Sequence, residues 1–312
     1  MISPRENNQT EITEFILLGI EGPQAVKIFL YFVFLILYIM TLCGNLVIIG
    51  LILESQHLRS PLYFFLSNLA LSDILLSTSV VPTLLCALLK GRVTMTITGC
   101  VVQFLASGLP SSAECNLLTV MSYDRYLAVC NPLHYNRIMN NNLCTNLISC
   151  SWLVSFLFCL TDIIEILHME FCRSNVIDYV YCDVAPLLEI SCKNSSILQL
   201  TILVFSIPGI LLLFVLIILS YVNISIAVLR IPSNIGRQKA FSTCSSHLTV
   251  VCVYFGILIA KYTVPSKGRS LTMNKAITLL YTALTPLINP VIYSLRNRDI
   301  RAAANKLISV RK

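Results

Sequence analysis

Seven long apolar stretches alternate with short polar ones along this chain, over residues 27–53, 61–89, 97–123, 143–164, 197–229, 241–262 and 272–295. About 20 apolar residues wound as a helix cross the hydrocarbon core of a bilayer, and each stretch reaches that length. None shows the strict alternation of polar and apolar positions that marks a transmembrane barrel strand. Lipid offers no partner to backbone N–H and C=O groups, so helices remain as the spanning solution. The pattern predicts an all-α membrane protein: one seven-transmembrane helix bundle over 27–295, with polar tails at 1–26 and 296–312.

Only 12% of the 312 residues are charged and 56% are hydrophobic, too little polar surface to coat a soluble globule of this size. An odd number of spans leaves the termini on opposite sides, and the distribution of Lys and Arg orients them. The side with the first, third and fifth turns (Arg59; Arg125, Arg137; Arg230, Arg237, Lys239) and the tail from Arg296 to Lys312 holds twelve basic and three acidic residues. The other side, with Arg92, Arg173 and Lys267 against Glu11, Glu165 and Asp183 among others, has ten of each. The basic side is cytoplasmic, which gives an extracellular N-terminus and a cytoplasmic C-terminus. Residues 1–26 carry Glu6, Glu11, Glu14 and Glu21 and lack an apolar core behind a basic start. No cleavable signal peptide is expected there, and the first span serves as its own insertion signal. Asn8-Gln9-Thr10 makes Asn8 the expected glycosylation site. Two other sequons are poorer, Asn194 crowding the fifth span and Asn223 lying inside it. In the last segment, Ile300, Leu307 and Ile308 among Arg298, Arg301 and Lys306 have the pattern of an amphipathic helix resting on membrane lipids.

Thirteen cysteines divide by depth. Those within spans are small apolar fillers. Cys172, Cys182 and Cys192 sit in the long outer loop, and Cys100 opens the third span on the same side; four thiols there allow three pairings. At mid-membrane depth stand Asn45, after Gly44, then Asp73, Glu114 and Asn289. Two carboxylates close together in low dielectric cannot both stay charged without a cation or a shared proton, so Asp73 and Glu114, with Asn289 as polar neighbour, are read as a sodium or proton site. Pro82, Pro110, Pro208, Pro286 and Pro290 interrupt spans and are candidate hinges wherever a neighbour satisfies the carbonyl each one frees. Four histidines on four segments (57, 134, 168 and 247) make no metal cluster. No nucleophile elbow, phosphate loop, cofactor motif or nucleic-acid motif is present, so the chain is read as no enzyme and as needing no cofactor.

The third span ends in Met121-Ser122-Tyr123-Asp124-Arg125-Tyr126, running on to Tyr135. An Asp–Arg pair at a membrane boundary is either an interfacial anchor or a switch, and taken alone the two readings weigh equally. Three further strings bear on it: Pro61 to Asp73 (PLYFFLSNLALSD), Lys239 to Leu248 (KAFSTCSSHL) and Pro286 to Asn297 (PLINPVIYSLRN). Together these resemble odorant receptors of the rhodopsin-like G-protein-coupled family, in their class II (tetrapod-type) form, in the right order and over nearly the whole chain.

That resemblance implies disulfides Cys100–Cys182 and Cys172–Cys192. It implies a pocket in the outer half lined by Ser107, Gly108, Ser111, Ser112, Phe205, Ser206, Leu258, Ile259, Tyr262, Leu279 and Thr282, suited to a small, largely apolar volatile. It implies an activation switch and G-protein surface made of Asp124, Arg125, Tyr126, Tyr221, Lys239, His247, Asn289, Pro290 and Tyr293, with the inner end of span six swinging outward and Arg125 leaving Asp124. The partners it implies are an odorant and a stimulatory olfactory-type G protein that raises cyclic AMP, and the location is the plasma membrane of sensory cilia. Ser107 stands where amine receptors carry an Asp, and Ala283 where opsins carry the retinal-linking Lys, which disfavours both ligands. Two features depart from the pattern: Pro110 in mid-span, and Tyr254-Phe255-Gly256 in place of Phe-Tyr-Gly, from which a missing hydroxyl at the pocket floor is expected. The rival class is a transporter or channel using Asp73 and Glu114 as an ion path; it lacks support from any internal repeat.

Overall fold

The computed structural model describes residues 12–171, 174–192, 200, 202–263 and 271–310. Asn8 and Cys172 lie outside these, as do the side chains of Lys239, Tyr262, Arg298, Leu307 and Ile308. Seven long helical spans form the bundle. They are α1 (Gln24–Glu54), α2 (Pro61–Lys90), α3 (Ile97–Cys130) and, after a short cytoplasmic helix α4 (Pro132–Ile138), α5 (Asn141–Leu167). A small outer helix α6 (Val184–Ile190) precedes a π-helical turn, Ile202–Ser206, that leads into α7 (Ile207–Leu229). Next come α8 (Asn234–Thr263) and a seventh span in three pieces: α9 (Leu271–Leu279), a π turn at Leu280–Leu284, and α10 (Thr285–Arg296). Helix α11 (Arg298–Val310) follows.

Six of these spans are long and apolar enough to cross a membrane by composition alone; α3 is the seventh. Its Glu114, Asp124, Arg125, Asn116 and four Ser residues are tolerated because α3 runs through the centre, against α2, α5, α7 and α8, where polar groups face protein. Large apolar residues such as Phe29, Ile36, Leu46 and Leu212 point outward from the bundle, the band that lipid covers.

Local sequence sets the ends. Pro61 opens α2 at a position where its missing N–H costs nothing. Gly91 closes it with φ +80°, its N–H returning to the Ala87 carbonyl. Thr96 caps α3 by accepting from the Gly99 N–H at 3.0 Å, and Asn140 caps α5 by accepting from Leu143 at 2.9 Å. Several helices outrun the apolar stretches. α3 continues to Cys130 and α8 starts at Asn234, because a helix can extend past the lipid into its polar residues.

The outer end holds what hydropathy missed. Residues 14–17, expected to be plain tail, form strand β1 (Glu14–Leu17) at the centre of a three-stranded sheet. It pairs antiparallel with β2 (Val93–Thr96) and parallel with β3 (Val176–Ile177). Phe15 and Leu17 are buried on one face, the period-two pattern of a strand lying across the bundle mouth. With Val80, Leu84, Cys100, Phe104, Val180 and Leu187 they build an outer core; a second, larger core fills the inner half around Leu69, Leu117, Met121, Val251 and Tyr254.

Between the cores, α1 meets the seventh span closely. A Cβ on Gly44 would stand 3.2 Å from Pro290 Cβ and Cγ, so this glycine sets the approach. Next to it, Asn45 Nδ2 donates to the Pro286 carbonyl at 3.0 Å. That carbonyl would ordinarily bond to the N–H four residues on, and Pro290 has none. The π turn above is closed by Thr285, whose N–H and hydroxyl both reach the Leu280 carbonyl.

Candidate functional site

A cavity of about 600 Å³ opens in the outer half between α3, α5, α7, α8 and the seventh span, roofed by the loop that carries α6. Ser107, Gly108, Ser111, Ser112, Phe205, Ser206 and Leu258 line it, although Phe205 is 58% exposed and turns largely outward. Three expected members are elsewhere. Ile259 is one residue, hence about 100° of helix rotation, beyond Leu258 and off the wall. Leu279 packs against the outer core. Thr282 is fully buried and donates to the Thr278 carbonyl at 2.9 Å. The Tyr262 side chain lies outside the described residues.

The walls include groups that sequence reasoning missed. Lys261 of α8 comes seven residues after Tyr254 and three after Leu258, so the three share a helix face, and it faces the cavity. Its Nζ is 2.9 Å from Asp183 Oδ2 in the roof and 5.6 Å from the Tyr281 ring centroid. Asp183 also accepts from its neighbour's N–H, Val184, at 2.8 Å, as the cap of α6, and from the Tyr181 hydroxyl at 3.2 Å. Burial alone would raise this carboxyl, but Lys261 and the hydrogen-bond donors hold it below the ordinary carboxylate range. Burial, reinforced by the Asp183 charge, pushes the Tyr181 hydroxyl well above the usual phenol range, so Tyr181 stays a donor.

The roof is fastened at several points. Cys100 and Cys182 are bonded, with Cα atoms 5.4 Å apart. Gln103 braces the join: its Nε2 donates to the Ser79 carbonyl at 3.0 Å and the Thr83 hydroxyl at 2.9 Å, and its Oε1 accepts from the Cys182 N–H at 3.0 Å. Lys275 pairs with Asp178, and the Tyr179 and Thr278 hydroxyls are 2.6 Å apart. Cys192 is disulfide-bonded.

The floor is a knot of hydroxyls from three spans. Ser111 and Tyr281 are hydrogen-bonded to each other. Tyr254 OH donates to the Ser111 carbonyl at 2.7 Å, and lies 3.2 Å from Tyr281 OH and 3.3 Å from Cys115 Sγ. This corrects the expectation of a missing hydroxyl. Exchanging the order of Tyr and Phe at 254–255 turns the phenol onto the α3 face instead of deleting it, while Phe255 stacks on Phe214 of α7. Pro110 likewise leaves α3 unbroken.

One layer deeper, Asn289 Nδ2 donates to both Asp73 oxygens, at 3.0 and 3.1 Å. Glu114 lies beside them, its charge opposing that of Asp73. Neither Glu114 oxygen has a partner of ordinary hydrogen-bond geometry, and Asn289 Oδ1 and the Tyr293 hydroxyl are buried without one among the described residues.

At the inner end Asp124 is fully buried and held twice, by Arg125, whose Nε is 2.9 Å away, and by the Tyr135 hydroxyl of α4 at 2.7 Å. Burial, then the charge of Asp124, keeps Tyr135 protonated by raising its hydroxyl. Tyr221 of α7 lies 2.6 Å from His247 Nδ1 and donates to the Cys244 carbonyl at 3.3 Å, joining α7 to α8. Ser220, its neighbour, turns back to the Leu216 carbonyl. Tyr126 stacks on Tyr123. A link not foreseen is Tyr63, whose hydroxyl bonds Asp299 at 2.9 Å and Asn297 at 3.2 Å and ties the start of α2 to α11.

Residues 34–311 match the family model described as olfactory receptor. The chain is 42% identical over 300 residues to human olfactory receptor 11G2, covering 96% of this chain and 87% of that one. It is 40% identical over 304 residues to rat (Rattus norvegicus) olfactory receptor 1f45, covering 97% of each. Mouse (Mus musculus) olfactory receptor 5AP2 is also 40% identical over 304 residues, covering 97% of this chain and 96% of that one.

Proposed function

The chain belongs to the olfactory receptor family, multi-pass cell-membrane receptors for odorants that work with G proteins and are not enzymes, and from that premise we propose how this member works. A small, mostly apolar volatile binds in the outer cavity. It favours a state in which the cytoplasmic end of α8 moves outward, and the receptor then drives nucleotide exchange on a stimulatory olfactory-type G protein, raising cyclic AMP. A ligand can act only through different affinities for the two states. The hydroxyl knot at the floor supports such a coupling, because Tyr254 carries α8 into contact with two cavity-lining groups, Ser111 and Tyr281.

The observation that carries the reading is the arrangement at the inner end, where an ion pair within α3 and hydrogen bonds between helices hold the closed form together. Arg125 pairs with Asp124, Tyr135 holds the same carboxylate from α4, and Tyr221 with His247 closes α7 on α8. In the proposed active state Arg125 leaves Asp124 for the G protein's C-terminal helix, Tyr221 and Tyr293 stabilise the opened cleft, and Tyr126, Lys239, Asn289 and Pro290 serve the same surface and hinge. Glu114, Asp73 and Asn289 offer only hard oxygen donors, three of them without partners, which fits a sodium ion as well as a shared proton. A sodium ion there would offset one of the two carboxylate charges. Segment 1–26 is assigned outside and 296–312 inside, with Asn8 glycosylated and a second bridge joining Cys172 to Cys192.

The test is an Arg125→Ala receptor, checked for surface delivery by labelling its extracellular side. It is expected to bind odorant but not to raise cyclic AMP; a normal ligand-driven cyclic AMP response from that variant would sink the switch. Ion flux through the purified protein in liposomes would instead favour the transporter reading.

A further inference from the structure

Charge in the outer cavity is one-sided. Among the described residues that line it, the carboxylates of Asp162, Asp183 and Glu189 accompany a single cation, Lys261. Lys261 is largely buried, 17% exposed, and reaches over the ring of Tyr281, whose hydroxyl is paired with that of Ser111. A charged N–H donor from α8 at the roof and hydroxyls from α3 and the seventh span at the floor are therefore linked along one wall by the Tyr281 ring. Phe104, Ile210, Leu213 and Leu258 add apolar lining.

We propose that Lys261 is the specificity-determining residue of this cavity and selects neutral odorants bearing a carbonyl oxygen: ketones, aldehydes, esters and lactones. The inference rests on the reading of the cavity as the odorant site. An ammonium presents three N–H donors in a fan, so it can bond a carbonyl while staying with Asp183, and such charge-assisted bonds are the strong ones. The carbonyl carries no charge of its own. A carboxylate would add a fourth anion to walls already carrying three, in a space where water screens little. A protonated amine brought to the Lys261 end would sit beside that cation and compete with it for Asp183, which already accepts from Lys261, Val184 and Tyr181, so an amine gains only where Asp162 or Glu189 holds it away from Lys261. An alkane fills the apolar lining but gains no hydrogen bond from the ammonium.

The experiment uses cells expressing the full-length receptor, with surface delivery quantified, and nucleotide exchange on co-expressed G protein as readout. The probes are straight, branched and cyclic skeletons, each presented as ketone or aldehyde, ester, carboxylic acid, amine and alkane. Activators are expected among the carbonyl forms. Lys261→Met is expected to weaken them about 10- to 100-fold, the range of a charged hydrogen bond, and Lys261→Arg to keep most of the potency. Asp183→Asn alone preserves the preference for carbonyls, and Asp183→Asn combined with Lys261→Met loses it, which separates loss of the donor from stranding of a buried carboxylate. The proposal is overturned if the amine or acid form of a skeleton acts at lower concentration than its carbonyl form, if Lys261→Met leaves potency unchanged, or if no probe activates. If carbonyl probes activate a receptor whose cavity is filled by Ser112→Phe as well as they activate the original, the odorant reading of the cavity fails, whatever the head group.

Discussion

The two halves of this bundle are held together differently. The inner half is a packed core whose polar groups are bonded within and between the spans. Asp124 meets the very next residue, His247 meets the facing helix, and Asn45 donates to the Pro286 carbonyl that Pro290 leaves bare. The outer half is built from distant pieces around a space: a strand from residue 14, a loop bonded to Cys100, and Lys261 reaching Asp183. The inner half is suited to a fixed two-state device, and the outer half to variation in what it holds.

The comparison can be broken hardest at the roof. Cys100→Ser removes a covalent link between segments 82 residues apart, a loss of about 2–5 kcal/mol for such a bridge. We expect surface expression to collapse; a variant that reaches the surface normally would mean that strand and ion pairs hold the roof unaided. Next, Asn45→Leu strands the buried Pro286 carbonyl at a cost of about 1–3 kcal/mol. Thermal denaturation in detergent should register it as a lower midpoint, with ligand selectivity unchanged because the defect lies below the cavity. Tyr254→Phe removes hydrogen bonds at the boundary of the halves, about 1 kcal/mol. It should alter basal cyclic AMP more than surface level, whereas an effect on surface level alone would make the hydroxyl knot simple packing. The smallest effect is expected from Tyr63→Phe, under about 1 kcal/mol for a partly exposed bond. Protease sensitivity of α11 should rise, and no change would show that Ile300 alone docks that helix.

The same division explains what the sequence made legible. Span count, orientation and the inner motifs could be read because hydropathy, charge and residue type mark them directly: Asp124 beside Arg125 at a span end, Asn289 and Asp73 as polar groups at one membrane depth, Tyr221 and His247 on facing spans. Outer features depend on how loops outside the spans fold onto the helices. Lys261 reads as one more basic residue at a helix end until Asp183 is placed opposite it. Leu279 and Thr282 read as pocket residues until a π turn shifts the register around them. Phe15 and Leu17 stand in a short run, Phe15 to Leu18, that is apolar throughout and shows no alternation in its residues, so the burial of alternate positions could not be read, and a four-residue strand is overshadowed by spans of 30. Tyr254 was misjudged by family position, since exchanging two adjacent aromatics on a helix rotates a hydroxyl and does not remove it.

The order of strands in the outer sheet also constrains when it can be completed. β1 lies in the middle, yet it is made first, β2 only after two spans and β3 after four. A strand that must wait for partners so much later in the chain closes slowly, because non-local pairings carry the entropy of every loop between them. Until then Phe15 and Leu17 lack the cover that β2, β3 and the loop give them. The sheet is thus a late-closing seal, and its closure reports that the loop before α7 has been delivered to the outer side and has found its place. A quality-control system that recognises an unpaired apolar strand could retain the chain at this step, so the export efficiency of the receptor is expected to follow how well these few residues pair.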